Sequence, residues 1–241
     1  MQTRIGRGAL RALPVLNSLN ENELDALYAA LTWRSIRSGE AVLSHLERDD
    51  DVFFLVKGAL QFRLPGAHGR SVVFSTLREG GYFGEIAALT GAPRTLTVAA
   101  ETDSVVGVCP KGVFLSMMRA NAGFSADIAV ALARRVALLT DRVFELATLE
   151  VRFRVYAELA RLARRGEQTN AGVRLTAPTH ATLAAAIGAQ REAVTRELRQ
   201  LAREGVLKQK GRELTICDLD RLKSLARRRG GVTATQLVDW A

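Results

Sequence analysis

Cysteine is scarce in this chain of 241 residues: Cys109 and Cys217 are the only two, one in each half and in no CxxC arrangement. Two thiols make no disulfide framework and cannot bind a four-iron cluster, which takes about four thiolates. Reduced thiols in a cytoplasmic protein are the expectation. Histidine is scarce too: His45, His68 and His180 are scattered and offer no spacing suited to haem or metal. No metal, haem or iron–sulfur cofactor is therefore expected. No apolar run approaches the ~18 residues of a membrane span, and the N-terminus lacks the apolar stretch of a secretory signal. A Walker loop, an HExxH helix, a GxSxG elbow and paired metal carboxylates are all missing, which leaves catalysis without a carrier.

Positive charge is what the chain has in excess, and it is unevenly spread. Residues 1–150 hold 16 Lys/Arg against 16 Asp/Glu, and residues 151–241 hold 18 against 9. The whole formal charge of +9 sits in the last part. A neutral module joined to one that meets a polyanion has this pattern, although an arginine-rich solvated face has it as well.

Three textures follow one another along the chain. Residues 8–33 read as short helices, with Leu24, Leu27 and Leu31 on one face and Asn20 or Ser18 as a cap. From about 36 to 110, runs rich in Val, Phe and Thr alternate with glycine turns, among them Gly66 to Gly69. The clearest strands are Val52–Val56, Ala59–Leu64, Ser71–Leu77, Thr95–Ala100 and Ser104–Val108, which suggests a β-roll or small jelly roll. From Ser125 to about Arg164 there is neither proline nor glycine. Leu132, Val136, Leu139, Val143 and Leu146 form a coiled-coil seam there. Roughly 40 residues of helix would span about 60 Å, longer than one small domain covers. A dimer helix over 125–150, loosening into a hinge near Glu150 and Phe153, is the reading preferred to a helix packed on its own domain.

Residues 171–216 carry the sharpest local signal. Pro178 ends a short strand, Thr179 caps a helix over His180–Ile187, and Gly188 supplies the positive φ of a turn. A second helix follows from Arg191 to Glu204, with Val194, Leu198 and Leu201 inward and Arg191, Glu192, Thr195, Arg196 and Arg199 outward. Gly205 stops it. A second helix of this kind reads base edges in the major groove of DNA, where arginine donates two bonds to guanine and glutamate accepts from cytosine. Lys208, Lys210 and Arg212 fall in a hairpin, Val206 to Ile216, placed to touch phosphates as a wing. A surface pattern of helix-stabilising Arg–Glu pairs is the bland alternative.

The whole arrangement resembles the cyclic-AMP receptor protein and fumarate–nitrate regulator (Crp/Fnr) family, over nearly all the chain to about residue 225. The stretches that carry the resemblance are Gly81-Tyr82-Phe83-Gly84-Glu85-Ile86-Ala87, Pro93-Arg94-Thr95, Ala133-Arg134-Arg135 and Gln190-Arg191-Glu192-Ala193-Val194-Thr195-Arg196. The resemblance implies a homodimeric bacterial transcription regulator that meets RNA polymerase and binds palindromic DNA with TGTGA-like half-sites. By resemblance Arg191, Glu192 and Arg196 read the half-site, with Thr179, Gln190, Thr195, Arg199, Lys208 and Lys210 around them. Gln190 stands where the family often has Ser or Thr.

The Gly84-Glu85 … Arg94-Thr95 constellation looks like the family's cyclic-phosphate cassette, which implies cyclic AMP or cyclic GMP as effector. A guanidinium and backbone N–H groups suit a cyclic phosphate, and a carboxylate suits a ribose hydroxyl. Ser75, Leu77 and Ile86 would complete the roll side of the pocket. Arg135, Leu139 and Thr140 would approach the base from the dimer helix; Leu139 departs from the paired hydroxyls of cyclic-AMP binders. An alternative has Glu85 and Arg94 pairing with each other in a roll that serves as a scaffold or protein-contact module. A nucleotide-processing enzyme is a remote third possibility. The expected architecture is α+β: an effector-binding roll with N-terminal helices over 1–124, a dimerisation helix and hinge over 125–164, and a winged helix-turn-helix over 165–241. The basic run Arg227-Arg228-Arg229 fits either a DNA-phosphate contact or a frayed tail, and the apolar Leu237, Val238 and Trp240 suit docking on the C-terminal domain.

Overall fold

The computed structural model describes residues 5–65, 71–164 and 166–227. The Gly66–Gly69 turn, His68 and the tail from Arg228 onward lie outside the described residues. Two compact units divide the chain, Met1–Ala133 and Arg134–Ala241.

The first unit opens with 3-10 turns at Arg7–Ala12 and Pro14–Leu16, then α1 (Glu21–Ala30). Asn20 caps α1 reciprocally: its side chain accepts from the Glu23 N–H at 3.0 Å, and its own N–H donates to the Glu23 carboxylate at 2.8 Å. Leu24 and Leu27 are buried below the cap. The helical expectation to residue 33 is corrected here. Leu31 turns extended, and Thr32–Ile36 is a strand, β1, in which Thr32 and Trp33 pair with Val108 and Gly107. Its β-branched and aromatic residues suit a pleated surface better than a helix.

Strands β2 (Ala41–Leu43), β3 (Val52–Lys57), β4 (Ala59–Pro65), β5 (Ser71–Arg78), β6 (Tyr82–Phe83), β7 (Thr97–Ala100) and β8 (Ser104–Cys109) complete the roll. The strand expected from Thr95 begins two residues later. Two four-stranded antiparallel sheets result, in the orders β1-β8-β3-β6 and β2-β7-β4-β5. Strand β3 explains how they pack. Phe53 and Leu55 point into the space between the sheets with Ile36, Leu60, Phe83 and Val106. Val52, Phe54 and Val56 point to the opposite face, where Leu10, Leu24, Phe114, Phe124 and Ile128 cover them. A strand buried on both faces needs apolar residues at every position, and β3 has five in a row. Each such side chain contributes about 1.5–3 kcal/mol of burial. Helices α2 (Glu85–Thr90) and α3 (Lys111–Ala120) lie between the strands in sequence and after them.

Helix α4 runs Ala122–Thr148 and α5 runs Val151–Ala163, so the helical stretch expected over 125–164 is two helices, parted beside Glu150 where a loosening is expected. The break has a physical cause. Glu150 adopts an extended conformation (φ −60°, ψ 154°) and starts α5 afresh. Arg161 then reaches back to Glu145 at 2.6 and 3.0 Å. In one straight helix those residues would stand about 24 Å apart.

The second unit adds β9 (Glu167–Thr169), β10 (Gly172–Thr176), α6 (His180–Ala186), α7 (Arg191–Arg203), β11 (Leu207–Lys210), β12 (Glu213–Ile216) and α8 (Leu219–Arg227). Its antiparallel sheet runs β11-β12-β10-β9. Val155, Leu159, Val173, Leu183, Val194, Leu201, Leu214, Ile216 and Leu222 form its core. Among the described residues no helix is long and apolar enough to cross a membrane.

Candidate functional site

Two groups of residues have the chemistry of a site, one in each unit. In the roll, β6 ends at Gly84, whose φ of +92° is open to glycine and strained for other residues. A Cβ there would lie 2.6 Å from the Asp51 carbonyl oxygen and 2.8 Å from Arg94 Nη1, so the position is also too tight for a side chain. Glu85 follows as the first residue of α2 and is buried, while Ile86 faces solvent.

Arg94 is 3% exposed and is held almost entirely by its own chain. It donates to the Gly84 carbonyl at 3.0 Å and to the Asp51 carbonyl at 2.7 Å, and it is paired with the Asp49 carboxylate at 2.8 Å. Its guanidinium also stands 5.4 Å from the centre of the Phe53 ring. Among the described residues, Nε of Arg94 is buried with no hydrogen-bond partner. Asp49 belongs to an acidic triplet that is itself engaged, since Lys111 pairs with Asp50 at 2.8 Å and its N–H donates to Asp51. Burial, and then the nearby Asp49 charge, push the Asp51 carboxyl above its ordinary range.

The structure thus brings Gly84, Glu85, Ile86 and Arg94 to one corner of the roll. Thr95 is exposed beside Arg94. Ser75 and Leu77 sit on the same face of β5, opposite Phe62 and Leu60 of β4. A buried arginine with an orphaned donor, next to a glycine cradle that a Cβ would fill, fits the phosphate of a cyclic nucleotide. Arg135, Leu139 and Thr140 belong to α4 in the second unit. Leu139 is exposed, and the Thr140 hydroxyl donates to the Val136 carbonyl of its own helix at 3.0 Å.

Along α4 the expected seam lies open from Val136 onward, while Leu132 is half-buried against the core of the first unit. Val136, Leu139, Val143 and Leu146 are exposed, and Leu138 and Phe144 widen the apolar strip. Glu145 is the exception, being 6% exposed. It joins Arg142, Glu158 and Arg161 in a cluster with contacts of 2.6 Å (Arg161–Glu145), 2.7 Å (Arg142–Glu158) and 2.9 Å (Arg161–Glu158). Burial alone would lower the Arg161 pKa, but its bonds to the two glutamates outweigh that and raise it.

In the second unit, the Thr179 side chain caps α6 by accepting from the Thr182 N–H at 3.0 Å. Gly188 makes the corner at φ +59°. Gln190 starts α7 without a side-chain cap, as the missing Ser or Thr implies. Arg191, Glu192, Thr195, Arg196, Arg199 and Arg203 line one concave strip of α7. Val194, Leu198 and Leu201 hold the opposite face in the core. Among the described residues Arg196 keeps only a loose 3.6 Å ion pair, with Glu197, and its side chain is 73% exposed. Lys208 and Lys210 are exposed on β11, in a hairpin closed by pairs such as Lys208–Thr215 and Lys210–Glu213.

Three functional neighbours escaped the sequence reading. Asp49 is the partner of Arg94, and its only sequence signal is the acidic triplet immediately before a buried strand. His180 Nδ1 lies 2.8 Å from the Thr195 hydroxyl, which itself donates to the Arg191 carbonyl at 2.9 Å. The imidazole thus holds the Thr195 side chain in place. Arg154 of α5 donates to the carbonyls at the α6–α7 corner; as one arginine among many in a basic segment it gave no signal.

Residues 33–121 match the family described as cyclic nucleotide-binding domain, and residues 153–225 match the Crp-like helix-turn-helix domain. The transcriptional regulator SdrP of Thermus thermophilus is 31% identical over 183 residues, which cover 75% of this chain and 86% of that protein. The CRP-like cAMP-activated global transcriptional regulator of Mycobacterium tuberculosis is 26% identical over 191 residues, covering 78% and 85%. A solved transcriptional regulator of the CRP/FNR family, also from Thermus thermophilus, superposes with a TM-score of 0.67 at 28% identity, over 83% of this chain and 100% of that one.

Proposed function

The chain belongs to the Crp/Fnr family of DNA-binding transcription regulators, and from that premise we propose that a cyclic nucleotide, cyclic AMP or cyclic GMP, controls its grip on DNA. The roll over 1–124 takes the effector, the 125–164 segment pairs two chains and carries the hinge, and the domain from 165 onward holds DNA. The observation that carries the reading is Arg94: a buried guanidinium with an unpartnered Nε, beside the Gly84 cradle. Arg94 and the N–H groups near Gly84 hold the phosphate, and Glu85 accepts from the ribose hydroxyl. Ser75, Leu77, Ile86 and Thr95 line the roll side.

Two chains pair along the open strip of α4, which sets two α7 helices about one DNA turn apart, ~34 Å, on a palindrome of TGTGA-like half-sites. Arg191, Glu192 and Arg196 read bases; Thr179, Gln190, Arg199, Lys208 and Lys210 hold phosphates, and Thr195 supports them. An effector with unequal affinity for two arrangements of α4 shifts the balance between them, a coupling typically of ~1–3 kcal/mol. RNA polymerase is the downstream partner, the setting is the cytoplasm, and the protein has no catalytic role.

Titration calorimetry with each cyclic nucleotide tests this, with Arg94→Ala as control and operator binding measured at saturating ligand. Micromolar or tighter binding to one nucleotide, lost in the variant and accompanied by more than a twofold change in operator affinity, is expected. No heat from either nucleotide would sink the effector part. A second reading keeps DNA binding without a ligand; it is favoured by the Asp49 carboxylate and the two carbonyls that already occupy Arg94.

A further inference from the structure

An α-helix leaves its last carbonyls without partners in the helix, and a cation there is favoured by the helix dipole. At the end of α6 that cation comes from another element. Arg154 of α5 donates from Nη1 to the Ile187 carbonyl at 2.7 Å, with Gly188's carbonyl at 3.4 Å. Among the described residues its Nε is buried without a hydrogen-bond partner, while the side chain as a whole is half-buried.

The same corner is pressed by α4. A Cβ built on Gly188 would lie 3.0 Å from Leu146 Cδ2 and 3.6 Å from Arg154 Nη1. The corner therefore has the Leu146 methyl of α4 beside it and the Arg154 guanidinium of α5 bonded to it. Those two helices are themselves tied by Arg142, Glu145, Glu158 and Arg161. Helix α7 starts at Arg191, just past Gly188, and runs 13 residues, about 20 Å. A tilt of roughly 10° at the corner would move its far end by about 3 Å, a full hydrogen-bond length.

We propose that Arg154 is a positioning residue for DNA recognition: by holding the Ile187–Gly188 corner against α4 and α5, it sets the angle at which α7 meets DNA. It acts through the corner and makes no DNA contact of its own. The inference rests on the paired DNA-binding reading above, because an angle set at the corner matters most when two α7 helices must fit one duplex together.

The test measures binding of wild type, Arg154→Met and Arg154→Lys to duplexes carrying two TGTGA half-sites at a series of separations around one helical turn. The folded fraction of each protein is first fixed from its melting curve. Wild type should prefer one separation. Arg154→Met should bind that duplex at least tenfold more weakly and show a flattened preference across the series. Arg154→Lys, which keeps one charged donor, should fall between them, and it carries the test if the methionine variant does not fold. The dependence of log affinity on log salt should stay unchanged. A change in that slope by ~0.9 would mean a lost phosphate contact and would overturn the proposal. An equal loss at every separation would mean a purely structural role and would overturn it too. A wild type indifferent to separation would overturn the paired reading itself, and the proposal with it.

Discussion

Arg94 and Asp49 form a 2.8 Å ion pair in which the guanidinium is 3% exposed and the carboxylate 29%. A carboxylate and a phosphate ester offer an arginine the same fork of acceptor oxygens. The pair thus places an anion of the chain's own where a ligand's anion would have to go, with Asp50 and Asp51 adding like charge alongside.

Neutralising that competitor should strengthen ligand binding. Asp49→Asn is expected to bind the preferred cyclic nucleotide about three- to tenfold more tightly by calorimetry. It should also melt at a lower temperature in the absence of ligand, because Arg94 then lies buried with a weaker partner. Unchanged or weaker affinity would show that Asp49 supports the site and does not compete for it.

Arg191 and Lys208 should fail in different ways. Arg191→Ala is expected to cost about 1–3 kcal/mol on the best half-site and much less on unrelated DNA. Lys208→Ala should weaken binding to all sequences alike and reduce the salt slope by about 0.9. Fluorescence anisotropy across a salt series, on matched and scrambled duplexes, separates the two.

Gly188→Ala meets two obstacles at once, a φ of +59° and a Leu146 methyl 3.0 Å from the new Cβ. The backbone conformation alone costs about 1–2 kcal/mol for an L-residue. Urea unfolding should show at least that loss, and Leu146→Ala in the same chain should recover part of it. Full additivity of the two substitutions would argue against contact at the corner.

Burial, with the Asp51 charge a smaller cause, pushes the Cys109 thiol up to about 12 from 9.0. As pH rises above about 9 the unfolded thiol ionises while the folded one keeps its proton, so the unfolded state is favoured. Stability present below pH 9 is therefore lost progressively between 9 and 12. Between pH 8.5 and 10.5 the wild type should lose about 2 kcal/mol more than Cys109→Ala in denaturant titrations. Parallel curves for the two proteins would contradict the burial argument.

Sequence periodicity reached as far as local physics decides the outcome. The apolar run of β3, the Asn20 and Thr179 caps, and the inward Val194, Leu198 and Leu201 of α7 each follow from the spacing of side chains in one element. Trp33 and Ile36 were less legible, because a short edge of mixed residues becomes a strand only when β8 is there to pair with it. The loosening near Glu150 was legible where the α4 seam ends, whereas the pairing of Arg161 with Glu145 across the break was not. The same holds for Arg94 with Asp49, and for Arg154 with the Ile187 carbonyl. Each is a long-range pairing of common residue types, and each becomes visible only once the chain is folded.

The open strip on α4 has a consequence for the cell. Val136, Leu139, Val143 and Leu146 are exposed in the single chain. If copies meet there, the active species grows with the square of the free chain concentration, so gene dosage becomes an input alongside any small molecule. Halving expression would then silence weak operators before strong ones, with the effector held constant.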